Sequence, residues 1–438
     1  VRKKWREITG KNSFEKRALP AQGGSVPLPA AELHTIALDL TPIEVAVRCR
    51  HLPELVFFDT AQESHAPGQL SIVAANPRQV LRGRSEADWT ALQDAIAQRR
   101  RSEACDDGLP RGFAAGFVEY DGAFRFGLYE DALIFRHADQ SWSEVGNLRA
   151  QLAERNLPRR AEGPRFSPAL DRERFCAMIA RAHEYIAAGD VYQVNLAHQF
   201  SASWAGDAFA FYEALRHYSP TPYAAFLQSA ERAILSASPE LFLKMSGRAI
   251  RTRPIKGTRP RRADLHADEK SAYDLLTSPK EIAELVMITD LERNDLGQVC
   301  EFGSVSVAEL LALERFEQVF HLVSTVDGQL RAEVDHVAAL RACFPGGSIT
   351  GTPKKRAREI IAELEPAPRG LYTGAIGWFG FNGESQFNIA IRTAIVEGGR
   401  AHFHVGAGIV ADSIPEREWQ ETLDKAAGIL LAAERLAD

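Results

Sequence analysis

Strand-forming segments of this chain do not alternate regularly with helices, and that excludes more folds than any other feature of the sequence. Apolar stretches at residues 56–58, 70–73 and 112–118 read as strands with turn residues between them. A clear helix then starts near Asp171. Its apolar positions Phe175, Met178, Ile179, Ala182 and Ile186 follow helical spacing, and Gly189 ends it. Beyond it strands and helices mix without a βαβ series, so the expected class is α+β rather than a doubly wound sheet. There is no fixed-period repeat and no low-complexity tract.

A length of 438 residues is enough for two or three ordinary domains. Residues 156–169, rich in Arg and Pro, mark the expected boundary between an N-terminal lobe (31–160) and a main body (170–435). Residues 1–30 stand apart. Seven basic residues precede a Pro- and Gly-rich run, and no apolar core of a signal peptide is present. They are expected to be a disordered extension.

Charge narrows the partners. The 52 Lys and Arg against 58 Asp and Glu give a net charge of -6, which argues against nucleic acid. No apolar run approaches the roughly 20 residues of a membrane-spanning helix. Five scattered Cys, with no CxxC pair, suggest reduced thiols and a cytoplasmic protein.

Three motifs fall short of a known pattern. Residues 346–353 follow a P-loop for six positions, but Thr352 and Pro353 stand where Lys and Ser or Thr are needed. Thr352 as N-cap and Pro353 at the first helical position remain good helix-start signals. The loop reads equally as an anion site at a helix N-terminus or as a plain helix start. Residues 406–411 fit G-x-G-x-x-A, but Pro415 follows closely and no βαβ unit surrounds them. An interrupted strand with a close backbone approach to a ligand fits better. His402 and His404 lack nearby partner ligands and read as structural or exposed.

Two acidic pairs have helical spacing, Glu281 with Glu284 and Glu418 with Glu421. Glu284 shares its turn with Met287 and Ile288, a setting in which a carboxylate needs a partner or a cation. Glu418 and Glu421 lie on a helix opened by Ser413 to Glu416, a capping-box pattern, with an apolar stripe of Trp419, Leu423, Ala426 and Leu430. Lys425 shares the face of Glu418 and Glu421. Each pair reads either as a solvated face with a Glu421–Lys425 ion pair or, if the helices meet, as half of an oxygen-only site suited to Mg²⁺. Residues 254–258 read Pro-Ile-Lys-Gly-Thr, and Arg251, Arg253, Arg259, Arg261 and Arg262 flank Lys256. Crowded cations would unmask a nucleophilic amine and attract an anionic substrate. A basic surface turn is the alternative.

The chain resembles the chorismate-utilising enzymes over roughly residues 31 to 435, most strongly from 171 onward. The stretches that carry the resemblance occur in order at residues 189–196, 238–240, 254–258, 290–295, 321–324, 351–354, 372–374, 391–393 and 406–408. The resemblance implies two large antiparallel sheets packed face to face, helices outside, and the active site between them. It implies chorismate as substrate and Mg²⁺ on Glu284 and Glu421, with Glu418 beside them. Arg392 and Tyr372 would bind the enolpyruvyl carboxylate with backbone N–H groups at Gly406 to Gly408. Gly257, Thr258, Lys425 and His321 would line the pocket.

Lys256 separates the branches. The branch that forms aminodeoxychorismate has Lys at this position, and the anthranilate branch has Ala. The resemblance therefore implies that Lys256 adds to the ring, that Glu240 protonates the leaving hydroxyl, and that ammonia then displaces Lys256. The product would feed 4-aminobenzoate and folate synthesis. None of the five Cys has Gly on both sides, so a separate glutaminase subunit is expected to supply ammonia. The family's N-terminal lobe can hold tryptophan near a Leu-Glu-Ser motif; the matching stretch here is residues 57–60, with a shorter acid, Asp59. The rivals are an anthranilate synthase component I and a catalytically silent tryptophan-binding regulatory subunit. The presence of Lys256, Glu240, Glu284, Glu421 and Arg392 weighs against silence.

Overall fold

The structure, a computed structural model, describes residues 33–61, 69–100, 107–154, 162–316 and 319–437. The expected extension at 1–30 and residues 156–161 of the proposed boundary lie outside them.

The inner strands Leu55–Asp59 and Phe113–Val118 are continuous buried runs because both of their faces are covered. In the strand Leu55–Asp59, Val56 and Phe58 point to one side with Ile72, Phe113, Ala115, Phe117, Ile376 and Trp378. Leu55 and Phe57 point to the other, against Phe209 and Tyr212 of the helix Ala208–Tyr218 and Ala426 and Ile429 of the helix Pro415–Glu434. The strand Phe113–Val118 has the same division: Ala114 and Val118 turn outward toward Trp89 and Leu92 of the helix Glu86–Gln98. Each fully buried Phe contributes about 1.5–3 kcal/mol of transfer free energy.

The result is two antiparallel sheets with a shared apolar layer between them and helices on their outer faces. Among the described residues one sheet has twelve strands and the other ten. Strands from 31–160 and from 170–435 enter the same sheets. Leu55–Asp59 pairs with Tyr223–Gln228, and Phe113–Val118 pairs with Ala375–Gly380. The expected α+β class and two-sheet architecture are observed.

The helix Arg172–Ala187 begins and ends as the sequence indicates. Asp171 accepts a hydrogen bond from the Arg174 N–H, and Gly189 has φ +81°. Three local expectations are corrected. Thr352 does not cap a helix: it pairs with Gln193 in a short strand, Pro353 takes the cap position, and the helix spans Lys354–Leu364. The Gly406–Ile409 segment is not an interruption but lies within the strand Arg400–Ile409. The buried stripe of the helix Pro415–Glu434 runs through Glu418, Thr422, Ala426 and Ile429, one position off the expected one. Ser413 donates to Glu418 Oε1 (2.8 Å) rather than forming a capping box.

Candidate active site

Two of the key side chains sit where the chain crosses between sheets. Glu240 lies between the strands Arg232–Ser238 and Leu241–Ser246, which belong to different sheets. Arg392 lies at the other crossing, between Glu384–Ile389 and Thr393–Glu397. The crossings run side by side: the Ala237 N–H donates to the Arg392 carbonyl and the Ile389 N–H to the Glu240 carbonyl. Arg392 has φ +48°, a left-handed conformation that costs a non-glycine residue of order 1 kcal/mol or more. Strain of this kind is commonly kept where a side chain must be aimed.

Glu240 is buried, and its Oε1 accepts a hydrogen bond from Ser348 Oγ at 2.8 Å. Burial pushes its carboxyl up to about 7, against the opposing pull of Ser348 and Lys256. Lys256, on the edge strand Ile255–Pro260, has its Nζ 3.7 Å from Glu284 Oε2. A Cβ at Gly408 would stand 3.5 Å from that Nζ and 2.9 Å from Gln193 Nε2, so this strand runs close under both side chains. A Cβ at Gly406 would meet the Tyr372 hydroxyl at 2.9 Å.

Glu284 comes from the helix Pro279–Gly297; Glu418, Glu421 and Lys425 come from the helix Pro415–Glu434. Lys280 joins the two helices: its Nζ is 2.9 Å from Glu418 Oε1 and 3.9 Å from Glu284 Oε1. Lys425 Nζ donates to the Gly406 carbonyl (2.8 Å) and pairs with Glu421 Oε1 (2.7 Å). Burial raises the Glu284 carboxyl, with Lys256 and Lys280 opposing. At Glu421 burial acts the same way, but Lys425, Lys256 and Lys280 together overcome it and hold the carboxyl below its ordinary value. On the opposite wall Thr258 Oγ1 lies 3.1 Å from His321 Nδ1, and that nitrogen lies 3.3 Å from the Gly257 carbonyl. Burial, with Arg392 nearby, brings His321 down to about 4, so the ring is neutral near pH 7. A cavity of about 50 Å³ opens between Pro239, His321 and Arg392.

The fold thus gathers residues that the sequence scatters over more than 180 positions. One expectation about Lys256 is not met. Four of the five flanking arginines are occupied elsewhere: Arg251 on Asp327, Arg253 on Glu314, Arg259 on Glu281 and Arg261 on Asp268. The charge nearest Nζ is a carboxylate, not a crowd of cations. Two polar residues of the site had no role in the sequence reading. Ser348 lay inside the rejected P-loop pattern, and Lys280 precedes Glu284 by four residues, the spacing of a helical ion pair.

Among the described residues no group of three or more His, Cys, Asp and Glu has a metal-holding arrangement. The donor chemistry of a two-carboxylate site is present. Glu284 Oε1 is buried without a hydrogen-bond partner, and the like charges of Glu284 and Glu421 face one another. An oxygen-only pair of this kind fits Mg²⁺, which typically takes one or two carboxylates and completes its shell with water and substrate. Glu418 Oε1 is committed to Lys280 and Ser413, but its Oε2 is buried without a hydrogen-bond partner, as Glu284 Oε1 is, so one oxygen of Glu418 also fits the donor set.

Two other expectations can be placed. Asp59 is buried and satisfied internally by Ser71 Oγ, Tyr212 Oη and Arg216 Nε, the last at 2.6 Å. A cavity of about 320 Å³ lies at the opposite end of that strand, beside the Glu54–Arg125 and Glu119–Arg232 ion pairs. Burial pushes the Cys49 thiol up to about 12 and Cys300 to about 11, the reverse of what a nucleophilic thiol needs. No helix among the described residues is long and apolar enough to cross a membrane.

Residues 56–431 match the model of the chorismate binding enzyme family. The chain belongs to that family. Among curated relatives of this chorismate-binding enzyme, aminodeoxychorismate synthase component 1 of Escherichia coli is 37% identical over 89% of this chain and 95% of its own length. The Bacillus subtilis protein of the same name is 46% identical over 61% of this chain, a match spanning 57% of that relative. Anthranilate synthase component 1 of Methanothermobacter thermautotrophicus is 36% identical over 84% of this chain and 86% of its own length. The solved anthranilate synthase component I of Streptococcus pneumoniae superposes with a TM-score of 0.74 at 31% identity, covering 84% of this chain and 93% of that one.

Proposed function

We propose that the chain is the aminating subunit of an aminodeoxychorismate synthase, converting chorismate and ammonia to 4-amino-4-deoxychorismate. The observation that carries this reading is the position of Lys256: its Nζ lies inside the site, 3.7 Å from Glu284 and over the Gly408 strand. In the reaction the Lys256 amine attacks the ring with allylic shift of the double bond. The ring C–O bond breaks, and the hydroxyl leaves as water with the proton held by Glu240. Ammonia then attacks in the reverse sense, the lysine–ring bond breaks, and the amino group stands where the hydroxyl was.

The burial that keeps Glu240 protonated to about pH 7 suits a proton donor working near neutrality. Arg392 would offer a planar fork to the enolpyruvyl carboxylate, and Tyr372 and the Gly406–Gly408 backbone would complete its binding. Bound by Glu284 and Glu421, Mg²⁺ would neutralise the ring carboxylate and draw electrons from the diene. The ammonia would come from a separate glutaminase subunit, and the product would feed 4-aminobenzoate and folate synthesis in the cytoplasm. Product analysis with chorismate, Mg²⁺ and ammonium tests the reading. Aminodeoxychorismate is expected; anthranilate as the main product would overturn it in favour of an anthranilate synthase component I.

A further inference from the structure

The helix Pro279–Gly297 carries a second acidic pair two turns beyond Glu284. Glu292 and Asp295 are each 2% exposed, and both hold the loop that follows the helix His336–Cys343. Asp295 Oδ2 pairs with Lys354 Nζ at 2.5 Å, and Lys354 also donates to the Cys343 carbonyl at 2.9 Å. That contact fixes the far end of the loop to its start. Glu292 Oε1 accepts the Gly347 N–H at 3.0 Å, and the Thr252 side chain and Ser348 backbone lie beside the same carboxylate. The approach is close enough to require glycine: a Cβ on Gly347 would stand 2.5 Å from Leu291 Cδ2. The next residue, Ser348, is the one whose Oγ donates to Glu240 Oε1.

We propose that Glu292 is a positioning residue for the proton donor Glu240, acting through the Gly347–Ser348 backbone. The inference rests on the reading of Glu240 as the general acid. Ser348 Oγ donates to Oε1 and the Ile255 backbone N–H also reaches this carboxyl, and the Ser348 hydroxyl directs the transferable proton of Glu240 to Oε2. The carboxyl is thereby fixed in both rotation and donor atom. Ser348 can hold it there only if its turn is itself held, and Glu292 fixes that turn from the helix that also carries Glu284. A buried carboxylate on a backbone N–H is an uncommon way to secure a loop, since water or another peptide would serve at lower desolvation cost. It is understandable if the position of the turn matters to a fraction of an ångström.

The test compares Glu292→Gln, which keeps a carbonyl acceptor for Gly347, with Glu292→Ala, which does not, each alone and combined with Glu240→Gln, using chorismate, Mg²⁺ and saturating ammonium. Glu292→Ala is expected to lower kcat roughly 10- to 100-fold with KM for chorismate changed less than about threefold. Glu292→Gln is expected to recover most of that loss. In the Glu240→Gln background, Glu292→Ala should have no further effect. Equal losses of kcat from Glu292→Ala in both backgrounds would overturn the proposal, as would wild-type kcat in Glu292→Ala. Unimpaired turnover by Glu240→Gln alone would instead remove the reading of Glu240 on which the proposal rests. If Glu292→Ala fails to fold, Ser348→Ala replaces it in the same cycle, with the same required absence of effect in the Glu240→Gln background.

Discussion

Lys256 Nζ and Glu284 Oε2 stand 3.7 Å apart, an ion pair between an edge strand and the helix packed beside it. The proposed nucleophile therefore competes, as an ammonium, with any cation that Glu284 would hold. Removing it in Lys256→Ala should tighten Mg²⁺ binding roughly tenfold, measured by calorimetry without substrate. Glu284→Ala should weaken binding by about as much or more. Weaker Mg²⁺ binding in Lys256→Ala would show that the pair does not share the site.

The same substitution should abolish the proposed chemistry. Without ammonia, chorismate is expected to leave a covalent adduct on the peptide containing Lys256, detected by mass spectrometry. Lys256→Ala should lack the adduct and lose orders of magnitude in kcat for aminodeoxychorismate. Trace product of the anthranilate type is the expected residue of direct ammonia attack.

Glu240 yields a pH prediction with the same sign for activity and stability. Its carboxyl rises from 4.5 to about 7 on folding. The proton donor is present below about pH 7 and lost above it, so kcat at saturating ammonia should fall as pH rises through that value. The folded state also binds a proton that the unfolded state has released between pH 4.5 and 7. Stability is therefore lost as pH rises across that window, by up to about 3 kcal/mol. Glu240→Gln should be nearly inactive yet more stable than wild type at pH 8 by chemical denaturation, and no more stable at pH 4.

Glutamine should be useless to the chain by itself. Ammonium is expected to support product formation, and glutamine only after a glutaminase subunit is added. Glutamine-dependent turnover by the purified chain would contradict the thiol environments of Cys49 and Cys300.

At Asp59 the expected loss is structural. Asp59→Ala would leave Arg216 without its partner and Tyr212 without an acceptor, at a cost of about 3–5 kcal/mol in chemical denaturation. Because that carboxylate is already satisfied, tryptophan at millimolar concentration should raise Tm by less than about 1 °C. A shift of several degrees would revive the expected tryptophan site in the N-terminal lobe.

Much of this arrangement could be read from residue order. The Asp171 cap, the Gly189 stop and the continuous apolar runs are local signals, and local signals survive without a structure. The grouping of Lys256, Glu240, Arg392, Tyr372 and the two acidic helices followed only from the family resemblance, since nothing in their spacing brings them together. What escaped was three-dimensional occupancy. Five arginines around Lys256 looked like a cationic crowd because the acids that engage four of them, from Asp268 to Asp327, lie up to dozens of residues away. Ser348 and Glu292 were invisible for the same reason: a serine in a glycine loop and a glutamate in a helix become informative only when the loop touches the helix. Ser413 and Thr352 had ordinary capping patterns that tertiary pairing overrode.

The pairing of Phe113–Val118 with Ala375–Gly380 has a consequence for biosynthesis. The partner strand is made some 260 residues later, a delay of roughly 10–50 s at ordinary ribosomal speeds. Until then an apolar strand with an unfilled edge, and others like it in the first third of the chain, wait in a nascent polypeptide that has no finished core to hide them. Such long-range closure is slow even once the chain is complete. A protein built this way depends on protection of its early strands during synthesis, and a chain that stops short of the last quarter is better regarded as aggregation-prone material than as a smaller working enzyme.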